Sequence, residues 1–564
     1  MKYMNNIAWH LSRLALLGAA AVSCVQAAEV PKLIPASPEA LRQWQDKRFA
    51  MFIHWGPVSL TGREIGWSRG SETPIEVYDN LYQQFNPTNF NAAEWVQVAQ
   101  AAGMKYTVFT TKHHDGFCMW DTRETDFNIM HSPFGRDVLK ELSAACQKAG
   151  LAFGTYHSVC DWHHPDFPLG SPGGSTRKPN PSMDRYTRYL RAQASELVKN
   201  YGPLIEMWFD VPQETGPERG IPTANLVRSL QPDILINDRA GGTPADFSTP
   251  EQRVGGFDME RPWETCMTIC NQWSWKPNDT MKSLQQCLQT LILTAGGNGN
   301  LLFNVGPMPD GRIEPRQVAR LKEMGAWLTQ YGESIYATRG GPYKPGKWGA
   351  STRRDHRIYL HVFQWEGDTL ELPALPAKIT AARVLTGGSV EFNQTDTNLT
   401  LRVPAANRDA MDTLVVLELD QPAMDLAPLR VGHRGASLAS GAKARASNVY
   451  HQEPAYSAAK ALDDDLETRW ATDAGAKQAW LEVDLGRTET FSRVAIHEWE
   501  GGGRRIQKFE LQAQEGGSWK TFFTGATVGP EFKQSFPPVT ARVVRLNILE
   551  AAEGPTVDEF ELLK

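Results

Sequence analysis

The sequence has little of several features that mark common protein classes. Among its 564 residues there are only seven cysteines and no CxxC pair, so neither a structural zinc site nor a dense disulfide framework is expected. Beyond the N-terminal segment no run of eighteen apolar residues occurs, so no further membrane span is expected. The net charge of −6 includes no excess of basic residues, which excludes nucleic acid as an expected partner.

The composition is otherwise that of an ordinary globular protein. Hydrophobic residues make up 41% of the chain and charged residues 22%, and the length is too great for one core, so three or four domains are expected. The 18 tryptophans and 14 tyrosines suit both core packing and stacking on the faces of sugar rings.

The first residues have the features of a targeting segment. A positively charged start precedes a short apolar stretch over residues 14–25, and small residues follow just before Ala28. This pattern predicts a signal peptide over residues 1–27 and an exported protein, periplasmic or secreted. A lipoprotein signal that would anchor the chain through Cys24 remains an alternative.

The rest of the chain divides by its apolar periodicity. Residues 28–338 alternate apolar strands with helical stretches, which predicts an α/β fold, an irregular (β/α)8-like barrel. Between residues 240 and 283 the pattern is unclear, and a helix there is expected to be lost or distorted. Period-two alternation predicts a small antiparallel β domain over residues 339–424 and a second all-β domain over residues 425–564.

Polar side chains stand at the ends of five successive predicted strands. The clearest strand is the stretch GPLIEMWFD, residues 202–210, which ends on the carboxylate of Asp210. In a (β/α) barrel such strand ends build the catalytic face. One polar strand end is usually structural, but five together predict a single pocket. The residues are His54, His113, His114, Tyr156, His157, Trp208, Asp210 and Arg239.

Two chemistries fit these residues. His54, His113, His114 and His157 could form a metal cluster, but adjacent residues such as His113 and His114 are expected to point to opposite sides of an extended strand. A ring of hydrogen-bonding groups for the hydroxyls of a polyol is therefore favoured. A glycosidase also needs two carboxyl groups. Asp210 is the first, and Glu64, Glu251 and Glu264 are candidates for the second.

The motifs in this region resemble those of a known family. FIHWG, KHHDGF, MWFD, the NDR at Asn237 and GGNGNLLFNVGPMPDG at residues 296–311 are similar to those of the α-L-fucosidases of glycoside hydrolase family 29, from about Leu33 to Tyr343. The resemblance implies hydrolysis of terminal α-L-fucose from fucosylated glycans, with retention through a covalent fucosyl intermediate and no cofactor for catalysis.

The resemblance also assigns residues. It makes Asp210 the nucleophile and favours Glu251, in the sequence TPEQ, as the acid/base of a branch that acts on α-1,3 and α-1,4 linkages. Glu264 is the alternative acid/base, or else holds the sugar or a neighbouring side chain. Which of Tyr156 and His157 contacts the sugar stays open. The expected substrate-binding set is His54, Glu64, Trp67, His113, His114, Tyr156, His157, Trp208, Arg239, Glu264 and Trp275.

The last domain resembles the discoidin, or coagulation factor 5/8 type C, domains, which include family 32 carbohydrate-binding modules. The resemblance is carried by residues 461–470, ALDDDLETRW, and residues 480–486, WLEVDLG. It implies a β-sandwich jelly roll and a possible structural Ca²⁺, an ion that binds hard oxygen ligands. The expected ligands are Asp463, Asp465, Thr468 and Glu559.

Two other functions remain open at this point. One is a non-catalytic, fucose-binding lectin-like protein that keeps the pocket without the chemistry. The other is a fucosidase of broader α-1,2 and α-1,6 specificity. Turnover of an aryl fucoside and of a branched Lewis-type oligosaccharide would distinguish them. The sequence makes no prediction of the oligomeric state.

Overall fold

The computed structural model describes residues 32–174, 176–241, 245–365, 367–431, 437–463, 468–499 and 503–564. The predicted signal peptide, Cys24 and Asp465 lie outside the described residues. None of the helices in the described ranges is long and apolar enough to cross a membrane. The six cysteines in these ranges are all buried and free.

The first half of the chain builds a parallel sheet surrounded by helices. Its strands lie in the order β5-β4-β3-β2-β1-β7-β6, which confirms the predicted irregular (β/α) barrel. The strands are β1 Phe49–Ile53, β2 Tyr106–Lys112, β3 Ala152–Ser158, β4 Glu206–Asp210, β5 Leu235–Ile236, β6 Glu264–Thr268 and β7 Asn300–Val305. The helices are α1 Pro38–Gln45, α2 Ile75–Tyr78, α3 Ala92–Ala101, α4 Val138–Ala149, α5 Met183–Tyr201, α6 Pro217–Leu230, α7 Leu284–Gly296 and α8 Pro315–Tyr331.

Local sequence fixes where the helices begin and end. The Ser182 side chain accepts a hydrogen bond from the N–H of Arg185 and caps α5, as Asp137 caps α4 through Lys140. Gly150 ends α4 in the left-handed conformation, at φ 66°, which a glycine adopts without a Cβ penalty. These caps set the length of each helix, and therefore the point at which the following strand enters the sheet.

An extended segment, residues 245–252, closes the barrel between β5 and β6. The N–H of Asp246 donates to the carbonyl of Ile236 in β5 at 3.0 Å, and that of Gln252 donates to Cys266 in β6 at 3.0 Å. Neither this segment nor the rest of the described chain between β5 and β6 forms a helix. The predicted loss of a helix in this region is therefore confirmed. The segment takes the place of an eighth strand between β5 and β6.

Two antiparallel β regions follow the barrel. The first has a five-stranded sheet and a three-stranded sheet around one core. A buried pair in this region, His361 and Asp412, lies against Trp327 of α8. The second has one antiparallel sheet with its own core of buried residues, in agreement with the predicted all-β C-terminal domain.

The strands of the first region are β8 Arg339–Gly340, β9 Gly349–Arg354, β10 Arg357–Val362, β11 Thr369–Pro373, β12 Ile379–Val384, β13 Glu391–Gln394, β14 Asn398–Arg402 and β15 Thr413–Leu419. Those of the second are β16 Lys443–Ala446, β17 Trp470–Ala471, β18 Ala479–Glu498, β19 Ile506–Glu515, β20 Ser518–Gly525, β21 Phe532–Ala551 and β22 Thr556–Leu563.

Candidate active site

Strand β4 supplies the centre of the pocket. All five of its residues are buried, and strand alternation sends the side chains of Glu206, Trp208 and Asp210 to one face. The contacts of these three side chains lie inside the barrel, so this face points to the barrel axis. Asp210 ends the strand and is 8% exposed. The predicted carboxylate at the strand tip is therefore at the open end of the barrel.

Hydrogen bonds hold the Asp210 carboxylate in place. The Tyr156 hydroxyl donates to Oδ2 at 2.7 Å, and Arg239 Nη1 donates to Oδ1 at 2.9 Å. Burial alone would raise the pKa of Asp210, but the nearby His114 and Arg239 hold it below its ordinary value. Burial lowers the pKa of His114 to about 4, so that imidazole is neutral near pH 7. The cation that keeps Asp210 ionised there is Arg239.

Arg239 also binds the second carboxylate. Its Nη1 donates to Glu251 Oε2 at 2.9 Å, the same distance as to Asp210. Its Nε and Nη2 donate to the side chain and carbonyl of Thr249, at 2.9 and 2.8 Å. Glu251 stands at the upper end of the closing segment, with 42% of its side chain exposed. One guanidinium thus joins a buried carboxylate to an accessible one.

Neighbouring residues determine the tautomer of His54. Asn304 Nδ2 donates to the carbonyl of Trp273 at 2.7 Å, so its Oδ1 faces His54 Nδ1, also at 2.7 Å. Since an amide oxygen only accepts, Nδ1 carries the proton and Nε2 is an acceptor. Burial lowers the pKa of His54 to about 3, which keeps the ring neutral. His54 therefore offers a lone pair to a hydroxyl donor.

The tautomer of His114 is determined in the same way. The Ser158 hydroxyl donates its proton to the carbonyl of Cys160 at 2.7 Å, so it accepts from His114 Nδ1, also at 2.7 Å. His114 Nε2 then carries a lone pair, 3.7 Å from Asp210 Oδ2. Two histidines thus present acceptors beside the nucleophile candidate, an arrangement that suits the hydroxyls of a sugar.

His113 and His114 lie on the same side of the barrel, contrary to the expectation of opposite faces. Strand β2 ends at Lys112, and a register shift precedes that residue, so strand alternation no longer applies to the pair. The two rings lie 4.0 Å apart, and His113 stacks on Tyr156 at 5.5 Å. Both histidines therefore line the pocket, as their place in the predicted substrate-binding set requires.

His157 is a correction to that set. It follows Tyr156 in β3, and alternation turns it outward, where it is fully buried against Thr111 and Trp120. Of Tyr156 and His157, Tyr156 is therefore the residue that lines the pocket, where its hydroxyl donates to Asp210. His157 belongs to the packing between the sheet and its helices.

Glu264 is a second correction, because it does not reach the open end of the barrel. It is the first residue of β6 and is fully buried, where it accepts hydrogen bonds from the Tyr106 hydroxyl and from Trp208 Nε1, the latter at 3.2 Å. Burial raises the pKa of Glu264 to about 8. It lies beneath Trp208, so it contacts neither a sugar in the pocket nor its leaving group.

Three further predicted residues surround the mouth. Glu64 accepts hydrogen bonds from the N–H groups of Trp273 and Ser274, at 3.0 and 3.1 Å, and so ties the loop after β1 to the loop after β6. Trp67 is 41% exposed, with its ring 5.3 Å from that of His114. Trp275 is partly buried in the loop that Glu64 holds. Of the three, Trp67 is the one that presents an open aromatic face.

The predicted Ca²⁺ ligands form no such arrangement in the part that is described. Asp463 contacts the Thr468 hydroxyl at 2.7 Å, but its other contacts are the cations of Lys460 and Arg430, at 3.1 and 3.8 Å. Glu559 is buried in β22. Over the described ranges, no group of three or more His, Cys, Asp or Glu side chains has the arrangement of a metal site. These residues alone do not fit the ion.

Sequence reasoning missed the residues that orient the pocket. Ser158 and Asn304 each hold a predicted site residue through one hydrogen bond, and Thr249 holds Arg239 through two. Trp273 packs on His54 with ring centroids 4.8 Å apart. Ser158 lies in β3 and Asn304 in β7, both at inward-facing positions, so strand alternation was the signal that could have found them. Thr249 and Trp273 lie outside the regular strands and carry no periodic signal.

Comparison with known proteins agrees with this geometry. A family described as alpha-L-fucosidase matches residues 24–333, and the F5/8 type C domain matches residues 443–560. Human plasma alpha-L-fucosidase is 31% identical over 366 residues, which cover 58% of this chain and 76% of the human protein.

Solved structures give the same result. Alpha-L-fucosidase isoenzyme 1 from Paenibacillus thiaminolyticus is 32% identical with a TM-score of 0.63, over 68% of this chain and 99% of that one. A GH29 alpha-L-fucosidase from Bacteroides thetaiotaomicron, trapped as a covalent intermediate with 2-fluoro-fucosyl fluoride, is 25% identical with a TM-score of 0.62, over 69% and 98%. An alpha-L-fucosidase from Vibrio sp. strain EJY3, at 23% identity, shares the fold over 94% of both chains with a TM-score of 0.68.

The pocket and the comparisons lead to one assignment. A family match over more than half of the chain accompanies the two carboxylates, the arginine between them and the histidine acceptors. The predicted C-terminal discoidin-like domain matches as well. The chain belongs to the α-L-fucosidase family of glycoside hydrolases, GH29, and carries an F5/8 type C domain at its C-terminal end.

Proposed function

We propose that this pocket removes terminal α-L-fucose with retention of configuration, with Asp210 as the nucleophile and Glu251 as the acid/base. The supporting observation is the shared guanidinium nitrogen. Asp210 Oδ1 and Glu251 Oε2 each lie 2.9 Å from Arg239 Nη1, so these two oxygens are at most twice that distance apart. Retaining enzymes hold their carboxyl groups about 5–5.5 Å apart, whereas inverting ones need roughly 6.5–9.5 Å.

The proposed reaction has two steps. Asp210 attacks the anomeric carbon and forms an ester, while Glu251 gives its proton to the departing glycosidic oxygen. Glu251 then takes a proton from water, whose oxygen attacks the same carbon and releases Asp210 as a carboxylate. Tyr156 and Arg239 keep the carboxylate aligned, and the lone pairs of His54 and His114 accept hydrogen bonds from sugar hydroxyls. These contacts hold the sugar in an orientation suited to attack.

Proton NMR of the first product tests this proposal. From an α-fucoside, the retaining path releases α-L-fucose, which later mutarotates to the equilibrium mixture. First release of the β anomer would contradict the assignment of Asp210 as a covalent nucleophile. Absence of fucose release from both an aryl fucoside and a branched oligosaccharide would instead support the non-catalytic, lectin-like alternative.

The linkage preference is a finer proposal. The TPEQ sequence around Glu251 supports preference for α-1,3- or α-1,4-linked fucose on a branched glycan. We expect a higher kcat/KM for a Lewis-type trisaccharide than for an α-1,2-linked fucoside. Comparable values for the two would support the broader α-1,2/α-1,6 specificity instead.

Export is also a proposal, supported by the signal-like composition of residues 1–27. Expression with this segment in a Gram-negative host should give a periplasmic or secreted protein whose mature N-terminus is at or near Ala28. A lipid-modified N-terminus at Cys24 would instead establish the lipoprotein alternative, and an intact cytoplasmic chain would contradict export.

A structural Ca²⁺ in the C-terminal domain rests on the resemblance alone. Asp463, Thr468 and Glu559 do not fit the ion by themselves, and the proposed reaction does not use it. If the ion is bound, EDTA should lower the Tm of this domain, and added Ca²⁺ should restore it. An unchanged Tm would contradict the proposal.

A further inference from the structure

The floor of the barrel, beneath the pocket, contains a pair of buried carboxyl groups that the proposed reaction does not use. Glu206 and Glu264 begin β4 and β6, and both are fully buried. The two side chains interact directly, and burial raises the pKa of each. Burial disfavours the charged form of both carboxyl groups, and the neighbouring Glu264 disfavours it further at Glu206, so the pair retains at least one proton at neutral pH.

In the described part of the chain, the side chains that donate hydrogen bonds to the pair are uncharged. Trp44 Nε1 donates to Glu206 Oε2 at 2.7 Å, and the Tyr106 hydroxyl donates to Glu264 Oε1. Asn300 Nδ2 in turn donates to the Tyr106 oxygen at 3.2 Å. A further hydrogen bond connects the pair to the pocket above it: Trp208 Nε1 donates to Glu264 Oε2 at 3.2 Å.

Trp208 touches both side chains that donate hydrogen bonds to Asp210. Its ring stacks on Tyr156 with centroids 5.6 Å apart and an interplanar angle of 21°. The guanidinium carbon of Arg239 lies 4.8 Å from the Trp208 ring centroid. A tilt of this indole would therefore move both side-chain hydrogen-bond donors of Asp210 at once.

We propose that Glu264 is a positioning residue, which holds the Trp208 indole by its N–H, so that Tyr156 and Arg239 stay aligned on Asp210. The inference rests on the proposed role of Asp210. Of the three roles that the sequence left open for Glu264, this is the holding of a neighbouring side chain, since the residue contacts neither the sugar nor the leaving group and acts through Trp208.

A pH profile separates positioning from general support of the fold. Tyr156 and Arg239 stabilise the ionised form of Asp210, so their misalignment raises its pKa and moves the acid limb of kcat/KM to higher pH. The groups that face Asp210 are His114 after β2, Tyr156 from β3, Arg239 after β5 and, across the pocket, His54 after β1; Glu251 reaches it through Arg239. The thiols of Cys160 and Cys266 also lie near it, and burial raises the pKa of both well above the ordinary value.

The test compares Glu264→Leu, Glu264→Gln and Trp44→Phe. The leucine variant leaves the indole N–H without its acceptor, and we expect kcat/KM to fall about ten- to a hundredfold with the acid limb displaced to higher pH. The glutamine variant keeps an acceptor oxygen for Trp208 and should stay within severalfold of wild type. Trp44→Phe removes a donor from the same floor without touching Trp208, so it should lower Tm but leave the limb in place.

Two results would overturn the inference. One is an acid limb that stays in place in Glu264→Leu while activity falls no more than in Trp44→Phe. The other is a glutamine variant as impaired as the leucine variant. If Glu264→Leu does not fold, Trp208→Phe removes the same N–H and must displace the limb in the same direction. An error in the proposed function would appear separately, as failure of azide to restore activity to Asp210→Gly.

Discussion

The two ends of strand β4 carry the same chemical group in opposite environments. At the open end, Asp210 lies beside the Arg239 guanidinium, and its pKa is below the ordinary value. At the floor, Glu206 interacts with a second carboxyl group, Glu264, and its pKa is raised well above the ordinary value. Strand geometry separates the two Cα atoms by roughly 13 Å.

This difference shows that neither the residue type nor the strand face determines the chemistry of a carboxyl group here. Both side chains face the barrel axis and both are buried, so desolvation acts on both in the same direction. The partner decides the outcome, because a guanidinium offsets burial at Asp210 and keeps it ionised, whereas burial at the floor is not offset and the neighbouring carboxyl group adds to its effect on Glu206. An ionised carboxylate can act as a nucleophile. The protonated pair at the floor instead makes hydrogen bonds to neighbouring side chains.

The largest expected effect comes from removing the open-end carboxylate. Asp210→Gly should lower kcat by several orders of magnitude, since no other group can form the ester. Azide, a small anion that fits the gap, should restore part of the turnover and give fucosyl azide. Circular dichroism of the variant provides the control for folding. Near-normal turnover in Asp210→Gly would contradict the assignment.

The next effect in size concerns the accessible carboxylate. Glu251→Ala should lower kcat about 10²- to 10⁴-fold for natural glycans, the range for loss of a general acid. The loss should be much smaller for aryl fucosides with good leaving groups, which need no protonation. Glu260→Ala, an exposed glutamate in the same connection, is the matched control. Equal losses for both classes of substrate would contradict the role of Glu251.

A smaller effect on stability is expected at the floor. Because the folded-state pKa of Glu264 is raised from 4.5 to about 8, its contribution to stability is complete below about pH 4.5 and is lost as pH rises toward 8. Glu264→Gln cannot ionise, so its free energy of unfolding should depend less on pH across this window. Urea denaturation at several pH values measures the difference. Parallel pH profiles for the variant and wild type would contradict a raised pKa.

The smallest effect is expected at the rim of the open end. Trp67 is exposed and adjoins His114, so Trp67→Ala should raise KM severalfold with little change in Tm, since an exposed ring contributes to sugar contact rather than to the core. Met424→Ala, which removes an exposed apolar side chain in the β region, is the control. A large loss of Tm in Trp67→Ala would instead make this tryptophan part of the folded core.

The sequence predicted the open end better than the floor. Asp210 stood out because it ends an apolar run, and Glu251 because of a local motif. Glu264 stayed an alternative to Glu251 in the sequence, since a sequence gives no depth along the barrel axis. The outward position of His157 follows from strand parity, whereas the shared side of His113 and His114 does not, because β2 ends one residue before the pair. The closing segment that carries Glu251 has no apolar run, so its sequence predicts no strand there.

The central claim is that Asp210, and no other carboxyl group of the barrel, forms the covalent bond to fucose. A 2-fluoro-fucosyl fluoride should inactivate the enzyme by accumulating a stable ester, which peptide mapping by mass spectrometry can locate. We predict one label per chain, on the peptide that contains Asp210, and no label in Asp210→Gly. A label on Glu251 or Glu264, or inactivation without any covalent label, would contradict the account.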